Sequence, residues 1–418
     1  MKRMHRPRAL AGVMTAAIVG VAMVGCSSTP GGDDNNSGMN PDGATVISFA
    51  ASMLGETQRG PLLTAMIDDF NASQDEVVVT PVTVPFSSFG STMFTQVGGG
   101  EGPDIIAWDE ADFFQAMDQG LTLSIDGITD ESRLLASSAN EKIDGVRHGV
   151  PLNVSNYALI YNPDLVTNVP TTFDELVAEA KAQTKDGVFG FAFRHTEAEE
   201  AGVWSDVSNY VYGFGGTWAK DGVPTLDSPE VADGFAAMKE LYDADVIPEG
   251  ATAAEYRKMF AEGKVAMIID NGGVPTVING TNPDTPIAAA VAPFPTPNIG
   301  EISAVLAVNS NTTKADAAKA FLSWFLEPEQ QATVQGLLGG SQAATEVPRT
   351  QEELETRPYV TVFDEVAPHT IAFAPEGMEA VTPQFRHIVV EQLLRVFQDQ
   401  VSIEDALAEA QKEAEGLQ

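Results

Sequence analysis

From Thr45 onward the chain alternates short apolar runs with amphipathic stretches. That alternation restricts it to an α/β fold around a largely parallel sheet. TVISFAA (45–51) reads as a buried strand. Gly60-Pro61 then opens a helix on which Leu62, Leu63, Met66, Ile67 and Phe70 recur at helical spacing, with proline suited to the first helical position. VVVTPVTV (77–84) returns to strand, and a short helix around 91–97 stops at three glycines. DIIAW (104–108) is a further strand, followed by a helix with Phe113, Phe114 and Met117 on one face and Gly120 as its stop.

A second lobe is expected after Val150-Pro151. YALIYN (157–162) reads as a strand. Thr172 with Glu175 reads as a capping box opening a helix over 173–182. FGFAF (189–193) is a strand, Ser228-Pro229 caps a helix running to about Tyr242, and KVAMIID (264–270) is a strand ending in Asn271-Gly272-Gly273. AAAVAPF (288–294) and AVLAV (304–308) are short strands. Helices are expected over 314–326, 383–398 and 403–415.

The N-terminus carries an address. Lys2, Arg3, Arg6 and Arg8 precede an uncharged stretch (9–25), and Gly25 then leads into Cys26, the single cysteine of the chain. This order of charge, apolar core and small residue is that of a secretory signal. The cysteine at its end resembles the lipobox of bacterial lipoproteins, with Met23 standing where leucine is usual. That resemblance implies a cleaved signal over 1–25, a lipidated Cys26 as first mature residue, and a membrane-anchored protein on the extracytoplasmic face. The location would be the cell surface of a Gram-positive host or the periplasm otherwise. Residues 26–44 are small, polar and rich in breakers, a flexible tether. With its one cysteine at that point, no internal disulfide is available.

The net charge of −36 becomes −40 once the four cations of the signal are removed. A surface that acidic repels nucleic acid and anionic lipid. Enzyme signatures are missing: there is no Gly-x-Ser-x-Gly elbow, His-Glu-x-x-His, phosphate loop or Cys–His pair. The five histidines are scattered, with no i,i+4 pair to seed a metal site. Neither cofactor nor metal is expected.

Four stretches, in this order, carry a family resemblance: GPLLTAMIDDFNAS (60–73), GGGEGPDIIAWD (98–109), GVPLNVSNYALIYNPDL (149–165) with VPTTFDELVAEAK (169–181), and FAEGKVAMIIDNGG (260–273). Together they make residues 45 to about 412 resemble the extracellular solute-binding proteins of ABC importers, in the carbohydrate-binding family that includes maltose-binding proteins. The resemblance implies a two-lobed, periplasmic-binding-protein-like (type II) α/β fold with the ligand held in a cleft between the lobes. One lobe would comprise 45–151 and 304–341, the other 152–303 and 342–418. It further implies a monomer that closes on a sugar and presents it to separate permease subunits, without chemistry of its own.

A sugar presents hydroxyls at its edge and C–H groups on its faces, so its site needs planar hydrogen-bonding side chains and an aromatic platform. Strand ends are where α/β sheets hold ligands. Trp108, at a strand end, matches an aromatic binding position of the family, and Asp109 and Glu110 follow it. Asn153, Ser155, Asn156 and Tyr157 stand at the expected crossing between lobes, where they serve either a ligand or the hinge. Trp204 matches a cleft-lining region, Asn271, Gly272 and Gly273 end a strand, and Glu56 follows the first strand. Where many relatives carry a stacking tryptophan, this chain has Val274, which favours a mono- or disaccharide over a long oligosaccharide. The alternative within the same superfamily is a receptor for another polar solute, such as a glycerol phosphodiester, which would recruit Arg59, Arg194 or Arg386. A glycosidase built on two carboxylates is a further alternative.

Overall fold

A computed structural model of the chain describes residues 39–417 apart from 41–42, 58, 86–87, 136–137, 139–140 and 338. The expected signal segment, Cys26 and the tether up to Gly38 lie outside the described residues. The fold takes in more of the tether than expected: Met39 bridges to Thr45, and the Ala44 amide donates to Asn40 Oδ1 at 2.8 Å.

The strands are β1 (Thr45–Ala51), β2 (Val77–Val82), β3 (Ile105–Asp109), the hairpin β4 (Lys142–Ile143) and β5 (Val146–Arg147), then β6 (Gly149–Tyr161) and β7 (Phe189–Ala192). The hairpin β8 (Ala219–Lys220) and β9 (Val223–Pro224) follows, then β10 (Val265–Asn271), β11 (Ala288–Ala290), β12 (Ile299–Val308) and β13 (Thr370–Ala372). One sheet runs in the order β2-β1-β3-β12-β6-β10-β7, with β11 added to β6 and β13 to β12. β1 is parallel to β2 and β3, and β10 to β7. β12, however, runs antiparallel to β3 and β6, and β6 antiparallel to β10 and β11, so the sheet is mixed where the alternation with helices predicts a largely parallel one.

Two long strands join the halves of this sheet. β6 pairs with β12 through Gly149–Asn156 and with β10 through Tyr157–Tyr161. β12 pairs with β3 over Ala304–Val308 and with β13 over Ile299–Glu301. The strand expected at 157–162 therefore begins earlier, at Gly149, and takes in the expected crossing between lobes. The short strand expected at 304–308 extends back to Ile299, past polar residues that suggest a loop.

Side-chain alternation on the strands builds two cores in each half. On β3, Ile105 and Ala107 face a core containing Phe49, Phe70 and Phe321, whereas Ile106 and Trp108 face one containing Phe113, Phe114 and Met93. On β6, Tyr157 and Leu159 face the core of Phe191, Trp204 and Phe235, and Ala158 and Ile160 that of Tyr256 and Phe260.

The helix Phe173–Gln183 starts at Thr172, whose Oγ1 accepts from the Glu175 amide at 3.3 Å. The expected reciprocal bond is displaced: the Glu175 carboxylate accepts from the Thr171 amide and hydroxyl, both at 2.8 Å. Full capping boxes occur instead at Thr252–Glu255 and Thr350–Glu353.

Candidate functional site at the seam between the lobes

The twelve residues expected to hold a ligand fall into three places. The first is the crossing. Ser155 and Asn153, two apart on β6, share a face, and Ser155 Oγ lies 2.7 Å from Ser341 Oγ and 3.3 Å from Asn271 Oδ1. Asn271 Oδ1 also accepts the Gly273 amide at 3.1 Å. Gly272 bonds on both sides, its N–H donating to Asn156 O at 3.0 Å and its C=O accepting from Gly340 N at 2.8 Å. Asn156 Nδ2 donates to Phe363 O at 3.0 Å. Glu56 grips Arg59 with two bonds of 2.6 Å, and an ideal Cβ built on Gly273 would lie 3.9 Å from Arg59 Nη1. The structure thus gathers Glu56, Asn153, Ser155, Asn156, Asn271, Gly272 and Gly273 around one seam. The buried Oδ1 atoms of Asn153 and Asn156 have no hydrogen-bond partner among the described residues.

The second place is the N-terminus of the helix Glu110–Asp118, capped by Asp109, whose carboxylate accepts the Ala111 amide at 3.3 Å. This helix packs across the seam on Glu379–Val381 and on the helix Thr382–Phe397. Asp112, one turn along, joins Asp109 there, with Arg386 opposite. Burial pushes Asp112 up to about 6, the Asp109 charge adds to the rise, and Arg386 opposes it. Burial also raises Asp109, against the same arginine and the Ala111 amide. Glu110 is raised well above the usual carboxylate range, first by burial and then by the negative charges of Glu301, Asp109 and Glu141. Glu301, on β12, is raised by burial although the Thr370 hydroxyl donates to it at 2.6 Å. Arg386 itself is paired, its Nε lying 3.2 Å from Glu200 Oε1. Each of these carboxyls holds its proton more tightly than a free one, and a carboxyl can donate as well as accept while protonated, which suits sugar hydroxyls.

The third place is the hydrophobic core, which holds Trp108, Trp204 and Tyr157. Trp108 is 1% exposed, with Phe94 packed on it at 5.0 Å, because its side of β3 faces the helices. Trp204 is buried, stacked on Trp218 at 4.7 Å and in a T-shaped contact with Phe385, while its Nε1 has no partner among the described residues. Tyr157 is buried against Phe373 in an edge contact, and burial pushes its hydroxyl up to about 12. All three rings pack within the cores of the two halves.

Sequence reasoning missed Asp112, Glu301 and Ser341 as members of the seam. Asp112 was legible as i+3 from Asp109, on one side of a first helical turn. Ser341 follows Gly339-Gly340, a pair that marks close backbone approach. Glu301 carried no signal, because its stretch reads as loop.

The family model described as "Bacterial extracellular solute-binding protein" matches residues 55–332. A maltotriose-binding protein of Pyrococcus abyssi is 26% identical over 340 residues, covering 73% of this chain and 71% of that protein. Among solved structures, maltose-bound MalE3 of T. maritima superposes with a TM-score of 0.80 at 20% identity, covering 89% of this chain and 100% of the other. A solute-binding protein of Agrobacterium radiobacter K84 in complex with ribitol gives 0.75 at 18% identity, covering 89% and 98%. The likeness to these structures establishes the two-lobed α/β fold.

Proposed function

The chain belongs to the family of bacterial extracellular solute-binding proteins, which act outside the cytoplasm, and from that premise we propose that it is the carbohydrate receptor of an ABC importer. It captures a small neutral saccharide, a mono- or disaccharide, at the seam between its lobes, closes by hinge motion, and hands the solute to a membrane permease. A lipid on Cys26 keeps it beside that permease, and it carries out no reaction. Through the tether, the effective concentration at the membrane reaches about the millimolar range, so a weak receptor–permease contact suffices.

The observation that carries this reading is the pairing of charges at the seam. Each arginine that an anionic ligand would recruit is already engaged: Arg59 by Glu56, Arg194 by Asp206 at 2.7 Å, and Arg386 by Glu200. What faces the seam is a set of carboxyls, hydroxyls and amides suited to neutral hydroxyls, which disfavours a glycerol phosphodiester. Val274, buried at the start of the helix Val274–Thr281, offers no stacking surface, and this supports a short ligand. The relatives bind maltotriose, maltose and ribitol by name, a range of sizes within polyhydroxylated solutes.

Thermal-shift screening of the purified protein against mono-, di- and trisaccharides, sugar alcohols and glycerol phosphodiesters tests the reading. A ligand at 100 times its Kd stabilises the folded form by about 2.7 kcal/mol, which is readily seen as a higher melting temperature. A shift with phosphodiesters and none with sugars would reverse the assignment. Release of free sugar from a glycoside would convert it to an enzyme.

A further inference from the structure

Asp270, the penultimate residue of β10, is fully enclosed, yet several donors converge on its carboxylate. Arg257 forks onto it at 2.9 and 3.0 Å, the Tyr256 hydroxyl approaches at 3.4 Å, and Arg194 Nη2 lies 3.7 Å away. Two further bonds point along the chain: the Asn271 backbone amide at 2.9 Å and Asn271 Nδ2 at 3.2 Å, both to Asp270 Oδ1.

A buried ion pair is a poor device for stability alone, since well-packed apolar residues generally serve as well. What it supplies here is direction. By accepting from Nδ2, Asp270 fixes which way the Asn271 amide faces, and Oδ1 is thereby turned toward the Gly273 amide and the Ser155 hydroxyl. Where the Ser155 proton goes to Asn271, Ser341 donates and Ser155 accepts at the 2.7 Å contact, at which either hydroxyl can be the donor. A flipped Asn271 amide would set its NH2 against the Gly273 N–H, two donors facing each other. The hydrogen-bonded chain Arg257–Asp270–Asn271–Ser155–Ser341 is continuous. It runs from the core behind β10, through the crossing strand β6, to the segment that follows Gly339-Gly340.

We propose that Asp270 and Arg257 are positioning residues for the hinge. They orient Asn271 so that it ties β6 to the 339–342 segment, and through that tie they set the balance between open and closed lobes and hence ligand affinity. Asn271 and Ser155 thereby serve the hinge instead of the sugar. The effect on affinity rests on the reading of this chain as a receptor that closes on its ligand.

The test uses the full chain and the variants Asn271→Ala, Ser341→Ala and Asp270→Asn. Small-angle scattering without ligand reads the lobe separation, and calorimetric titration with maltotriose reads affinity. Asn271→Ala and Ser341→Ala are expected to enlarge the radius of gyration of the ligand-free protein and to weaken maltotriose at least about fivefold, a loss larger than about 1 kcal/mol, with near-native melting temperatures. Asp270→Asn is expected to act in the same direction. If it does not fold, the other two variants decide the matter, because they leave the buried arginines their partner. Scattering profiles identical to the unaltered protein, with affinity changed less than twofold, would overturn the hinge assignment. If maltotriose fails to bind the unaltered protein, the sugar reading is at fault for that ligand, and the ligand-free scattering alone decides the hinge.

Discussion

Replacing Gly272 with alanine strains the seam at a point that has no room to relax. An added Cβ would lie 2.6 Å from the Gly340 carbonyl carbon, 2.8 Å from its oxygen and 2.9 Å from the Ser341 amide nitrogen. Ordinary contact begins at 3.4 Å, so the facing backbone must retreat by about 0.8 Å. That backbone is pinned: Gln342 exchanges two bonds with Val154 at 2.9 and 2.7 Å, and Arg349 holds the carbonyls of Gly339, Gly340 and Ser341 at 3.1, 3.1 and 3.2 Å. Overpacking of this kind costs about 1–3 kcal/mol, and losing the 2.8 Å bond between Gly340 and Gly272 adds about 1 kcal/mol. A total of about 2–4 kcal/mol follows, and whatever part falls on the closed form alone weakens ligand tenfold per ~1.4 kcal/mol. Gly336→Ala is the control, since that helical glycine has open space around its Cβ position and no positive φ. There alanine is expected to stabilise by about 0.5–1 kcal/mol. Urea midpoints and saccharide titrations of both variants check the contrast. Gly272→Ala as stable as the unaltered protein, with unaltered affinity, would refute the packing argument.

The seam carboxyls make stability depend on pH. Asp109, Glu110 and Asp112 titrate higher when folded, Asp112 at about 6 against 3.8, so the folded form holds more protons and loses stability as pH rises through that window. His387, raised by its bond to Glu200, has the same sign. Glu131, held at about 2 by Arg147, contributes fully throughout that window and does not cancel the trend. The melting temperature at about pH 5.5 should therefore exceed that at about pH 7.5, and Asp112→Asn should flatten the difference; an unchanged profile in that variant would count against the assignment. Phe321→Ala, which empties a fully buried site packed on Phe49, Phe70 and Trp324, should cost about 3–5 kcal/mol in denaturant unfolding. Thr252→Ala breaks a reciprocal cap with Glu255 and should cost about 1 kcal/mol by the same assay.

The helices Gly60–Ser73, Phe173–Gln183 and Pro229–Asp243 were legible because proline, threonine or serine marks their starts and one apolar stripe marks their faces. The helix Glu200–Gly213 was harder to read, since it is buried from Val203 to Gly213 and a helix enclosed on all sides has no stripe. The helix Val274–Thr281 contains proline, glycine and β-branched residues, and packing in the core overrides that local preference. β6 and β12 were read short for a different reason. Asn153, Ser155, Asn156, Glu301 and Ser303 interrupt the apolar pattern, and polar residues buried in a strand look like a loop until the partner strand is known. The candidate site shows the same division. Residue types near strand ends pointed to Ser155 and Asn271, which the structure brings into contact, but whether Trp108 faces a cleft or a core depends on the face of β3 and on Phe94, which no spacing encodes.

Calorimetric titration of the purified protein with maltose and maltotriose, at low and at high salt, tests the central claim most directly. Binding to a neutral saccharide should be saturable with one site, and its Kd should move less than about twofold between roughly 50 and 500 mM salt, because no ligand charge is there to screen. No binding to any saccharide, together with salt-sensitive binding of a phosphodiester, would contradict the account.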